Sequence, residues 1–174
     1  MTSPDPVLRR MTSSDLDTVR EWRNTPAVRE FLLTRHEIGA EEHRRWFEQA
    51  DRDPDRRLLI FETLAVPSGF VQFTKIRSNS VVDWGFYVAP MAARGTGRMM
   101  GRFALAHAFD GEGFSKVCGQ AMVDNVRSCQ FHLDLGFVRE GVLRSQHHDG
   151  DRFHDVALFG LLRQEWDHAG GALG

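Results

Sequence analysis

The sequence predicts an α/β (α+β) protein folded as one domain over residues 1–174. Three observations carry this reading. Strand-like and helical patterns alternate in the order strand, helices, three strands, helix, strand, helix, hairpin. The stretch 81–100, VVDWGFYVAPMAARGTGRMM, is an apolar strand that delivers a glycine-containing loop into the start of a helix. Finally, 174 residues with 41% apolar and 26% charged composition suit a single ordinary core.

Taken in order, residues 7–10 read as a first strand. Thr12 followed three residues later by Asp15 has the form of a helix N-cap, and Leu16, Val19 and Trp22 space an amphipathic helix that ends near Asn24. Pro26 opens a second, short helix, and 32–38 is a loop. The segment 41–50, EEHRRWFEQA, is helical, with acidic residues in the first turn where the helix dipole favours them. Residues 51–57, with Pro54, form a polar break. Strands at 58–64 and 69–77, joined through 65–68, make a hairpin that 81–88 extends into a meander.

A helix over 97–113 is long enough for four turns, with Met100, Phe103, Ala104 and Phe109 on its buried stripe. Because this stripe accounts for Met100 and for the G-x-x-x-G at 97–101, membrane association is not needed to explain them. Residues 116–123 form another strand. Asp124 and Asn125 open a helix that runs to Leu135 and is closed by Gly136. Strands at 138–147 and 153–162 are joined across Asp149-Gly150, a hairpin signal.

Bulk properties bound the function. A net charge of −2 gives no general attraction to nucleic acid. Cys118 and Cys129 are too few for a disulfide framework and read as free thiols in a reducing cytoplasm. No apolar run approaches the roughly 20 residues of a membrane span, and the first residues lack a signal-peptide segment. The expectation is a soluble cytoplasmic protein without membrane or nucleic-acid partners. Between strand and helix, Arg94-Gly95-Thr96-Gly97-Arg98 would gather unpaired N–H groups and the positive end of the dipole. Glycine lets backbone approach an anion closely, and two arginines add charge, so this loop reads as a phosphate cradle.

The element order, the R-G-T-G loop and N-V-R-S-C-Q-F-H-L-D-L-G-F at 125–137 together resemble the GNAT superfamily of acyl-CoA-dependent N-acyltransferases. The resemblance covers nearly the whole chain. It implies a single mixed, mostly antiparallel sheet flanked by helices, and acetyl-CoA as donor. In that family a Q/R-x-x-G-x-G/A loop binds the coenzyme A pyrophosphate. This maps onto Arg94, Gly97 and the place held by Met99, which departs from the pattern. The coenzyme-binding candidates are therefore Tyr87, Val88, Arg94, Gly95, Thr96, Gly97, Arg98, Met99 and Asn125. A closer resemblance, carried by E-W-R-N at 21–24, H-E-I-G-A-E-E-H-R-R-W-F at 36–47, D-W-G-F-Y at 83–87 and the ending H-D-V-A-L-F-G-L-L-R-Q-E-W, is to the amino-sugar acetyltransferases of pseudaminic acid biosynthesis.

That resemblance implies a small-molecule amine acceptor, the 4-amine of a UDP-linked 4-amino-4,6-dideoxy sugar, with a homodimer as one allowed state. Asp83 is the candidate base and His36 its competitor; backbone N–H groups at 87–88 would hold the carbonyl oxygen. The family's tyrosine acid is replaced by His132, seven positions after Asn125. Arg23, His36, Glu37, His43, Trp46, Trp84 and His154 are candidates for the acceptor side, since guanidinium and aromatic groups suit a nucleotide diphosphate. No metal is implied: His147, His148 and His154 lack partners at ligand spacing. An aminoglycoside-type antibiotic or a protein N-terminus is the alternative acceptor. A non-catalytic acyl-CoA-binding module is the alternative class, motivated by Met99 and the missing tyrosine.

Overall fold

Alternating apolar residues give each strand two faces, and the chain uses both. The computed structural model describes residues 5–32, 34–76 and 78–169. Seven strands, β1 (Val7–Arg10), β2 (Arg56–Thr63), β3 (Val66–Lys75), β4 (Val81–Val88), β5 (Lys116–Met122), β6 (Val138–His148) and β7 (Phe153–Leu162), form one sheet in the order β1-β2-β3-β4-β5-β7-β6. Every neighbouring pair is antiparallel except β4 and β5. The helices are α1 (Leu16–Asn24), α2 (Pro26–Arg29), α3 (Ala40–Arg52), α4 (Thr96–Ala106), α5 (Val126–Asp134) and α6 (Arg163–His168).

One face of the sheet, with Phe61, Phe73, Val82, Trp84, Val117 and Phe159, packs on Met100, Ala104, Leu105 and Phe109 of the α4 region and on Trp166 of α6. The opposite face, with Leu58, Ile60 and Phe70, packs on Val19 and Trp22 of α1 and Phe47 and Ala50 of α3, and Tyr87 of β4 joins this second core. At roughly 25 cal/mol per Å² of apolar surface, these two layers are the main stabilisation of the fold. Consecutive residues of β4 thus serve different layers.

The structure matches the expected order and corrects several boundaries. The β2–β3 turn is Leu64-Ala65, both left-handed (φ 55° and 59°), so Val66 and Pro67 belong to the strand, where a register shift between Phe61 and Glu62 accommodates the proline. The long helix stops at Ala106 and continues as a π-helical turn, His107–Gly111. Helix α6 was not expected; the Glu165 carboxylate accepts the Leu162 N–H at 2.8 Å and opens it. Thr12 and Asp15 do form a capping arrangement, around a 3₁₀ turn at Ser13–Asp15. Leu33 and Arg77, included in the expected loop and strand, lie outside the described residues, as do 1–4 and 170–174 of the expected domain.

One topological feature matters most for function. Strands β4 and β5 pair only through Val81, Val82 and Asp83 with Lys116, Val117 and Cys118. Beyond that point β4 stays on β3 as far as Val88, and β5 stays on β7 as far as Met122. The two strands therefore diverge into a wedge with Asp83 at its apex.

Candidate active site

The wedge leaves backbone groups of β4 without a strand partner on the β5 side from residue 84 onward, among the described residues. An extended, amide-containing ligand arm can satisfy such groups as a missing strand would. The loop that follows leads directly to the start of α4. Gly95 is left-handed (φ 92°) and has open space where a side chain would stand. The Thr96 N–H bonds Ala93 O and the Met99 N–H bonds Gly95 O, whereas the Gly97 and Arg98 N–H groups have no acceptor among the described residues. Arg94 and Arg98 are exposed beside them.

This corner fits a pyrophosphate: two free N–H groups, a helix N-terminus and two cations. Met99 does not obstruct it in the way a strict reading of the loop pattern would suggest. Its N–H is already part of the helix ladder and the residue is 39% exposed. The position with little room is Gly97, where an added Cβ would lie 3.3 Å from Val88 Cγ2. Asn125 contributes locally, its Oδ1 accepting the Ser128 N–H at 3.0 Å to cap α5.

Asp83 shares a face of β4 with Gly85 and Tyr87. Its Oδ1 is buried with no hydrogen-bond partner. Burial pushes its carboxyl up from the ordinary 3.8 to about 6, against a lesser opposing effect of the Trp84 N–H. A carboxylate so tuned is ionised at neutral pH and still basic enough to take a proton.

His132 sits elsewhere than an acid should. It is 1% exposed, with its ring stacked on Phe159 at 4.7 Å. Its Nε2 accepts from Trp84 Nε1 at 3.1 Å, and its Nδ1 donates to Ser128 O at 2.8 Å. Burial pushes its pKa down, so the ring is neutral, with its proton and its lone pair both engaged. The residue expected as proton donor is thus placed in the core, with both ring nitrogens engaged. Trp84, an acceptor-side candidate, lies at 6% exposure in the core on the opposite face of β4 from Asp83.

The other acceptor candidates fall in three places. Arg23 is 7% exposed, donates to Thr34 O, and keeps Nη1 without a partner; burial lowers its pKa, and nearby Tyr87 opposes that. Burial in turn pushes the Tyr87 hydroxyl pKa up. His43 stacks on Trp46 at 5.0 Å, Trp46 meets Phe70 edge-on at 6.2 Å, and Phe70 lies 5.1 Å from Tyr87. This row of rings carries α3 onto β4. His36 and Glu37 are instead exposed, paired with Glu42 at 2.8 Å and Arg29 at 3.8 Å. His154 is buried between Asp124 and Asp149.

Sequence reasoning missed Gln72, whose Nε2 lies 3.0 Å from where a Gly85 Cβ would stand, on the same face as Asp83. It also missed Arg35 and Asp149, partners at 3.0 Å. Only the register of β3 on β4 could have signalled the first, and no local signal marks the second. No group of three or more His, Cys, Asp or Glu suited to a metal occurs among the described residues. No described helix is long and apolar enough to cross a membrane.

The profile of the acetyltransferase (GNAT) domain matches residues 7–138. The chain belongs to the GNAT acetyltransferase family. Like other members of this family it is an acetyltransferase enzyme that uses acetyl-CoA. Acetyltransferase PseH of Campylobacter jejuni strain 81-176 is 23% identical over 128 residues, covering 73% of this chain and 79% of that protein. Its counterpart in strain NCTC 11168 is 27% identical over 101 residues, covering 58% and 62%. A crystal structure of spermidine N-acetyltransferase from Vibrio cholerae, in complex with CoA and spermine, superposes with a TM-score of 0.86 at 20% identity, covering 92% of this chain and 97% of that one. An N-acetyltransferase from Staphylococcus aureus Mu50 gives 0.76 at 21% identity, covering 92% and 99%. These structures share the GNAT fold.

Proposed function

We propose that this GNAT enzyme acetylates the 4-amine of a UDP-linked 4-amino-4,6-dideoxy sugar in the cytoplasm, by direct attack in a ternary complex, with Asp83 as the base. The observation that carries the reading is the Asp83 carboxylate at the wedge apex, buried, with a free oxygen and a pKa of about 6. Acetyl-CoA supplies the acetyl group as an activated thioester. The α4 N-terminus with Arg94 and Arg98 binds its pyrophosphate, and the unpaired edge of β4 at 87–88 orients the carbonyl oxygen. Asp83 takes the proton of the acceptor's ammonium and frees the lone pair of the amine. Since His132 is neutral and closed in, the departing thiolate takes its proton from solvent.

The sugar acceptor is supported by the two PseH relatives and by Arg23, a buried guanidinium with a free Nη1 on the acceptor side, suited to an anionic group such as a diphosphate. Release of free thiol from acetyl-CoA should be measured with the UDP-linked amino sugar, spermidine and an aminoglycoside as separate acceptors. The reading expects the highest kcat/KM with the sugar. Thiol release with spermidine or the aminoglycoside alone would refute the acceptor while leaving acetyl transfer intact.

A further inference from the structure

Several segments meet beside the open end of the wedge through one carboxylate. Asp149 Oδ1 accepts the N–H groups of Asp151 and Arg152 at 2.8 and 2.9 Å and so fixes the β6–β7 turn. Its Oδ2 accepts from His154 Nε2 and, at 3.0 Å, from Arg35 Nη1, a residue 114 positions earlier in the chain. His154 Nδ1 lies 3.1 Å from Asp124 Oδ2, which Arg152 also reaches at 2.9 Å. Asp124 stands just past the C-terminal end of β5, beside the cap of α5. The Asp149 and His154 side chains are only 7% and 5% exposed, while Asp124, Arg152 and Arg35 around them reach solvent.

Arg35 belongs to the segment 34–38, which α1 holds at both ends. Thr34 O accepts from Arg23, and Asn24 exchanges two hydrogen bonds of 2.9 Å with Ile38. Arg23 lies near the neutral Tyr87 hydroxyl, close enough for Tyr87 to oppose the lowering of the Arg23 pKa by burial. The segment therefore links α1 to the β6–β7 turn, and the Arg23 that holds Thr34 lies near Tyr87 of β4. Turn formation needs only the Oδ1 contacts; the bond to Arg35 adds nothing to it. The backbone N–H of Arg152, followed by His154, holds the Asp149 carboxyl well below the usual carboxylate range, which keeps it ionised for that bond.

We infer that Asp149 is a positioning residue for the amine acceptor: through Arg35 it pins segment 34–38 across the open end of the wedge and sets the aperture through which the acceptor reaches Asp83. The inference rests on the acceptor approaching over the Asp83 face, as proposed above.

The test uses the full chain with Arg35→Ala, Arg35→Lys and Asp149→Asn. In protein without ligand, amide hydrogen exchange over 34–38 should rise about ten-fold in Arg35→Ala and Asp149→Asn, with α3 and β2 unchanged and Arg35→Lys close to wild type. Acceptor KM, measured on whichever of the UDP-linked amino sugar and spermidine the wild type acetylates, should rise about ten-fold while acetyl-CoA KM and kcat stay within about two-fold. Unchanged exchange over 34–38 in both Arg35→Ala and Asp149→Asn overturns the inference, as does an equal rise in the two KM values. Acetylation of spermidine alone by the wild type overturns the sugar reading, and the aperture is then decided on spermidine by the same criteria.

Discussion

Asp83→Asn keeps the shape of the side chain and removes its charge, which makes it a direct probe of what burial does at the wedge apex. Burial raises the Asp83 pKa from 3.8 to about 6. Because the folded value is the higher one, the native state binds the proton more tightly than the unfolded chain. The resulting stabilisation is fully present below about pH 3.8 and is lost as pH rises through about 6. At about 1.36 kcal/mol per pH unit, the ionised carboxylate costs the native state about 3 kcal/mol at neutral pH. Asparagine carries no such cost. Thermal unfolding of wild type and Asp83→Asn from pH 4 to pH 8 should show the variant more stable at pH 8 by roughly 6–12 °C, with the difference closing towards pH 4. A variant less stable than wild type at pH 8, or a difference that does not vary with pH, would refute the claim that this charge is held against desolvation.

Three further outcomes follow from the same geometry. Arg94→Ala with Arg98→Ala should raise acetyl-CoA KM about ten-fold or more with kcat little changed, because phosphate contacts bind without altering the reacting atoms; steady-state kinetics at low and high salt would check this. His132→Phe should keep kcat within about three-fold yet lower stability by about 1–3 kcal/mol, since Trp84 Nε1 would be left buried without an acceptor. A large fall in kcat with intact folding would restore His132 to the chemistry. Gly119→Ala should cost about 1–3 kcal/mol in denaturant unfolding, because its Cβ would stand 2.4 Å from His132 Nε2 and 2.7 Å from Trp84 Nε1.

Much of the fold could be read locally. The strand patterns of 81–88 and 116–123, the cap at Thr12–Asp15 and the Gly136 helix stop depend on neighbours in sequence, and each appears where expected. Pro67 reads as a turn residue, whereas the β2–β3 chain bends earlier, at two non-glycine residues in left-handed conformation. The loop proposed to bind phosphate can be read locally, since its free N–H groups come from one short run of residues. The divergence of β4 from β5 was not legible, since it depends on where a long-range pairing stops. Nor was the fate of His132, which the aromatic cluster of Trp84, Phe137 and Phe159 draws into the core. Arg35 and Asp149 likewise acquire meaning only when two loops 114 residues apart meet.

The most direct test of Asp83 as the base is the ratio of wild-type to Asp83→Asn kcat/KM for the acetylated amine, followed from pH 8 to pH 5. Taking the ratio cancels the ionisation of the amine itself. A general base is worth roughly 10²- to 10⁴-fold, so the ratio should lie in that range at pH 8. It should collapse as pH falls through about 6 and Asp83 takes up its proton. A ratio near one at pH 8, or a large ratio that stays level down to pH 5, would contradict the account.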